Sequence, residues 1–207
     1  MYIRNLRKPS ANKNIFKFSS FKNAGTIMCE SSLEFDACFH LEYSSSIISF
    51  ESQPIGIEYQ MNGKIRRYTP DFKIVKDTGE IEFIEIKPSK KLTSLVFREA
   101  FECKRSAYKM KGFKLLLVTD KQIRSTPLLD NLKVINRYSS SSLSDVHDLA
   151  LKHIRACKSL SISELALKLG LIIGDCIAAC ALLINRGSVH TDLEGGLLCE
   201  HSLMMEA

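Results

Sequence analysis

The chain has 207 residues, 45% of them apolar and 25% charged, with 29 Lys and Arg against 23 Asp and Glu for a net charge of +6. This is a globular composition, long enough for one large domain or two small ones, and two is the expectation. It excludes a membrane-spanning chain: no run of 18 or more uncharged apolar residues is present, and the best candidate, LGLIIGDCIAACALLI, is broken by Asp175.

The seven cysteines are odd in number and scattered, without a CxxC pair, which fits a reduced compartment, and a cytoplasmic location is expected. Cys176 and Cys180 share a helical face, but in so apolar a stretch they read as small core residues. Charge is uneven. Residues 1–22 carry six Lys or Arg and no acid, residues 23–144 carry 18 basic and 15 acidic residues, and residues 145–207 carry 5 basic and 8 acidic. A polyanion is therefore expected to meet the first two thirds of the chain and avoid the tail.

Residues 1–22 lack the apolar core of a secretory signal and read as a basic arm for DNA or a partner. SSLEFDACFHLEY then has helical spacing, with Ser31 or Ser32 as its cap and Glu34, Phe35 and Glu42 on it. SIISF is a short strand and ESQP a turn, with Gln53 assigned to that turn. IGIEYQM and KIRRYTPDFKIV flank Asn62-Gly63, a type I′ hairpin signal. A second hairpin turns through Asp77-Thr78-Gly79 into EIEFIEIK, completing a three-stranded meander.

Residues 92–111 have helical spacing and end at Gly112, and FKLLLVTD is an apolar strand of the kind buried on both faces. SSSSLSD has linker composition. Beyond it the pattern predicts three helices, the second with a Ser161-x-x-Glu164 capping box and the third from Asp175 to Gly187, then a hairpin turning at Glu194-Gly195-Gly196. The domains predicted are an arm (1–22), a mixed α/β domain (23–138), a Ser-rich linker (139–144) and a winged-helix-like domain (145–207).

The second hairpin has a chemical consequence. With Lys76 opposite Glu80, counting outward brings Asp71 opposite Glu85. Directly opposed residues have Cβ atoms roughly 4.5–5.5 Å apart, and like charges there destabilise a sheet. Lys87 projects from the same face, two residues after Glu85. Two hard oxygen donors so placed suit a divalent cation such as Mg²⁺, with the lysine beside an attacking water. Pro70 has no N–H and belongs at an edge or bulge where the ladder opens. Arg66, Arg67, Lys90 and Lys91 flank this locus, and Lys104 and Arg105 lie on the next helix; all are candidate DNA-phosphate contacts.

The PDF…EIK pattern resembles the PD-(D/E)XK nuclease signature. The longer run SSLEFDACFHLEY…ISFESQPIGIEY…RRYTPDF…FIEIKPSKKL resembles the TnsA-type endonucleases of heteromeric cut-and-paste transposases. The short length and basic start look most like forms carried by CRISPR-associated transposons. The resemblance implies a restriction-endonuclease-like mixed sheet flanked by helices. It also implies that Glu34, Asp71 and Glu85 hold one or two Mg²⁺ ions, which Mn²⁺ can replace, with Lys87 catalytic beside them. Family members can have Gln at the position of Glu85. The resemblance further implies a bacterial protein, nucleoid-associated during activity.

The implied reaction is hydrolysis of DNA at the 5′ ends of the transposon, freeing the non-transferred strands. The implied partners are double-stranded transposon ends, the DDE transposase TnsB, and the AAA+ regulator TnsC through residues 145–207. The third helix of the tail opens DCIAACALLI, without the basic or amide residues of a base-reading helix, so protein contact is expected there. Another nuclease of the same superfamily, for restriction or junction processing, and a non-catalytic assembly subunit are the competing readings.

Overall fold

The computed structural model describes residues 14–207, which fall into two compact units divided between Arg124 and Ser125. The first unit opens with a hairpin, β1 (Phe16–Ser20) and β2 (Gly25–Cys29), paired from Phe16↔Cys29 to Ser20↔Gly25. Residues 14–22 of the expected arm are thus built into the fold; residues 1–13 of it lie outside the described residues. Alternation explains the strand, since Phe18 and Ser20 point inward, and Phe18 meets Phe39 edge-on at 5.1 Å. Lys22 is no phosphate contact here: its ammonium donates to the carbonyls of Leu41 and Ile47, at 3.1 and 2.7 Å, and to that of Ser44.

Those carbonyls end and follow α1 (Ser32–Tyr43), whose cap is Ser31, accepting the Glu34 N–H at 3.2 Å. Its C-terminal turn is gripped a second time through Glu42, which accepts from Ser20 Oγ at 2.7 Å and from the N–H groups of Phe21 and Lys22. The chain continues through β3 (Ile47–Ser52), β4 (Ile57–Met61), β5 (Lys64–Tyr68), β6 (Phe72–Lys76) and β7 (Ile81–Lys87). A 3₁₀ turn at Ser89–Thr93, α2 (Leu95–Met110), β8 (Lys114–Thr119) and the short α3 (Asp120–Ile123) close the unit.

The expected meander splits. β4 and β5 pair only with each other, while β6 and β7 join a four-stranded sheet of order β3-β6-β7-β8, antiparallel except for the β7–β8 pair. The break is at Thr69-Pro70-Asp71, where proline cannot donate to a ladder. Both predicted turns form: Asn62 and Gly63 have φ of 51° and 70°, and Gly79 has φ 81°. β8 differs from expectation, being an edge strand with Leu116 39% exposed; β7, buried from Glu82 to Ile86, is the strand covered on both faces. An apolar run alone does not distinguish the two.

The second unit contains α4 (Leu128–Tyr138), α5 (Asp145–Cys157), β9 (Ser159–Ser161), α6 (Ile162–Leu169), α7 (Ile173–Asn185), β10 (Val189–His190) and β11 (Leu203–Glu206). Its antiparallel sheet has the order β10-β11-β9. The Ser161/Glu164 capping box forms as expected, but α7 starts a turn before Asp175, with Ile172 as its cap residue.

The closing hairpin is wider than expected: Val189 pairs with Glu206 and His190 with Met205, leaving 191–202 as a loop. Asn131 of α4 fixes that loop, donating to the carbonyls of Leu193 and Gly196 and accepting the Leu198 N–H, all at 2.8 Å. Residues 128–138 thereby belong to this unit, and the Ser-rich stretch is only the α4–α5 connection. Among the described residues no single helix is long and apolar enough to cross a membrane. The apolar α6 and α7 instead supply core, with Ile162, Leu165, Cys176, Cys180 and Leu183 packed together.

Candidate active site

The β6–β7 pairs are Phe72↔Ile84, Lys73↔Phe83, Ile74↔Glu82 and Val75↔Ile81, closed by Lys76 N–H donating to the Glu80 carbonyl at 2.9 Å. One further step outward puts Asp71 opposite Glu85. Asp71 follows the buried Pro70 and is held from both sides. The Gln53 N–H, from a buried residue with φ 48°, donates to its carbonyl at 2.9 Å, and its own carboxylate accepts the Ile86 N–H at 2.7 Å. Gly56 lets the neighbouring backbone approach: a Cβ there would stand 2.6 Å from Thr69 Oγ1 and 2.7 Å from the Tyr68 carbonyl.

The compensation that two opposed carboxylates require comes from lysine. Lys87 Nζ lies 3.4 Å from Asp71 Oδ2 and 3.1 Å from Glu85 Oε1, and donates to the Ile86 carbonyl at 2.8 Å. Lys104 Nζ, from α2, lies 3.6 Å from the same Glu85 Oε1 and 4.0 Å from the centre of the Tyr68 ring. Tyr68 donates its hydroxyl to Glu85 Oε2 at 2.6 Å.

Burial, then the field of Glu85, raises the Asp71 carboxyl to about 7, with Lys87 and the Ile86 N–H opposing and Glu34 adding to the rise. Burial works to lower Lys87, but Asp71 and Glu85 outweigh it and the ammonium is held above its ordinary value. Burial and Glu85 push the Tyr68 phenol upward, so it remains a donor.

Glu34 lies close enough to act on Asp71 but is engaged in its own helix cap. It is buried on the first turn of α1, where it accepts the Glu30 N–H at 2.9 Å and the Ser31 hydroxyl at 2.8 Å as part of the helix cap. It shares a cleft of about 560 Å³ with Lys87, Lys90, Asp120 and Arg124. Among the described residues, no three His, Cys, Asp or Glu side chains already surround a metal position. The structure therefore brings Asp71, Glu85 and Lys87 together and leaves Glu34 at the cleft wall, turned to its own cap.

Of the basic candidates, Arg66, Arg67, Lys90, Lys91 and Arg105 are exposed, with Arg67 3.3 Å from Glu58 and Arg105 3.5 Å from Glu102. Lys104 is not an outward phosphate contact; it is turned into the site. Its spacing from Phe97, Phe101 and Tyr108 puts it on the inner face of α2, a signal the sequence carried. Tyr68 was also missed, as was Arg124, which donates to Asp36 at 2.9 Å and to Ser32 Oγ at 3.1 Å.

Residues 44–120 match the family model described as TnsA-like endonuclease N terminal. Over this segment the chain is similar to the N-terminal part of TnsA-like endonucleases. The matched segment runs from Ser44, the residue after α1, to Asp120, the first residue of α3, so it includes Asp71, Glu85, Lys87, Tyr68 and Lys104 and begins after Glu34. The TnsA-like match supports a nuclease, acting as a transposase endonuclease subunit with DNA as its substrate. No curated protein matches the chain.

Proposed function

We propose that this protein is the Mg²⁺-dependent subunit that hydrolyses the 5′ ends of a transposon, freeing the non-transferred strands. The observation that carries the reading is the convergence of Asp71 and Glu85 on one lysine inside the TnsA-like segment. The donor chemistry fits a hard divalent cation: two buried carboxylates are opposed across one strand pair. Asp71 and Glu85 would hold Mg²⁺, and Glu34 would join them on giving up its contacts to Glu30 and Ser31. When bound, the cation supplies charge stabilisation at the scissile phosphate and lowers the pKa of water.

The chain's own residues do the rest. Lys87, charged and fixed by three acceptors, orients the attacking water and offers a proton-rich partner to the phosphoryl oxygen. Tyr68 and the Ile86 N–H aim the two carboxylates. Lys90, Lys91, Arg66 and Arg67 lie exposed for the DNA backbone.

The order α5, β9, α6, α7, β10, β11 supports a winged-helix reading of the second unit. Its α7 is apolar with Asp175 in its first turn, which favours a protein partner, TnsC, over base reading; TnsB would cut and join the 3′ ends. The test is cleavage of labelled transposon-end duplexes with the cognate transposase and regulator. Asp71→Ala and Lys87→Ala should each lose only the 5′ cuts while still binding DNA. Wild-type 5′ cleavage in either variant would remove that residue from the chemistry.

A further inference from the structure

Glu85 is served by two ammonium groups at one oxygen: Lys87 at 3.1 Å and Lys104 at 3.6 Å both face Oε1, while Tyr68 occupies Oε2. Together the buried Asp71 and Glu85 and the partly buried Lys87 and Lys104 form a group of two carboxyls and two ammonium groups. A divalent cation entering it meets no net attraction, because each ammonium repels it at close range in a medium where charges are weakly screened. One lysine has to give way. Lys87 is tied to Asp71, Glu85 and the Ile86 carbonyl. Among the described residues Lys104 has Glu85 and the Tyr68 face as partners, and its flexible stem rises from a helix whose next residue, Arg105, is exposed.

We propose that Lys104 is a resident counter-ion of Glu85, holding the carboxylate in place without metal and competing with a divalent cation for it. This rests on the metal reading of Asp71 and Glu85. On this account Lys104 stabilises the metal-free site at the expense of metal affinity. A lysine that merely packed on Tyr68 would not couple the two with opposite signs.

The full-length protein is titrated with Mn²⁺, followed by electron paramagnetic resonance, and melted in EDTA, for wild type, Lys104→Met, Lys104→Arg and Asp71→Ala. Lys104→Met should bind Mn²⁺ roughly tenfold tighter or more and melt at a lower temperature in EDTA. Lys104→Arg, which keeps the charge, should bind as wild type does. Unchanged or weaker Mn²⁺ binding in Lys104→Met, with wild-type binding intact and abolished by Asp71→Ala, overturns the role of Lys104 alone. If wild type binds no Mn²⁺, or Asp71→Ala leaves binding unchanged, the metal reading of this site falls and the proposal falls with it.

Discussion

Tyr68 donates its hydroxyl to Glu85 at 2.6 Å, a buried contact between the end of β5 and the middle of β7. This bond links the two-stranded β4–β5 sheet to the four-stranded sheet that carries the acids. It also fixes which Glu85 oxygen is left to the lysines.

Tyr68→Phe removes the donor and leaves Glu85 Oε2 buried. The expected cost is about 1–3 kcal/mol in urea denaturation, with 5′ cleavage reduced at least about tenfold because the carboxylate is no longer aimed. Full activity in the variant would mean that the lysines alone position Glu85.

Asp71 sets a pH dependence whose sign follows from its raised pKa. Folding lifts the carboxyl from its unfolded value near ~3.9 to about 7. The ionised form is therefore penalised in the fold: the penalty is complete above the folded value, shrinks as pH falls, and vanishes below the unfolded value. Asp71→Asn keeps an oxygen for the Ile86 N–H and escapes the penalty. It should be more stable than wild type by on the order of 1–4 kcal/mol at pH 8 and equal to it near pH ~4, measured by urea denaturation without metal.

Gly56→Ala tests the close approach beside the site. The added Cβ would meet Thr69 Oγ1 at 2.6 Å and the Tyr68 carbonyl at 2.7 Å, so the Tyr68–Asp71 segment has to move. The hydroxyl can rotate away but the carbonyl cannot. Cleavage should fall by about a hundredfold, as expected for a displacement on the order of 1 Å; a fully active variant would show that the segment tolerates the shift.

Asn131→Ala isolates the second unit. Two carbonyls and one N–H of the 191–202 loop lose their partner inside the protein. The expected loss is about 2–4 kcal/mol, with faster hydrogen exchange at Leu198. Nuclease-site metal binding should be unchanged, since the lost contacts lie in the other unit.

The acidic pair was legible because it rests on local rules. Gly79 fits only a left-handed turn position, and strand alternation carries the count from Lys76 and Glu80 out to Asp71 and Glu85. Contacts between elements distant in sequence were not legible. Tyr68 and Lys104 reach Glu85 from another sheet and from a helix, and no local period encodes that meeting. The Ser-rich stretch misled for a related reason. Linker composition reports exposure, whereas the boundary between units depends on which core α4 joins, and that is decided by Asn131 and α7.

The hairpin of β1 and β2 gives the N-terminal region a mechanical part to play. Ser20, Phe21 and Lys22 grip α1 at Glu42, while Glu34 lies two turns away, roughly 12 Å along the axis. The helix works as a lever, anchored at one end and carrying an acid at the other. Removing residues 1–22 would therefore subtract positive charge and also release the fulcrum that sets where Glu34 stands.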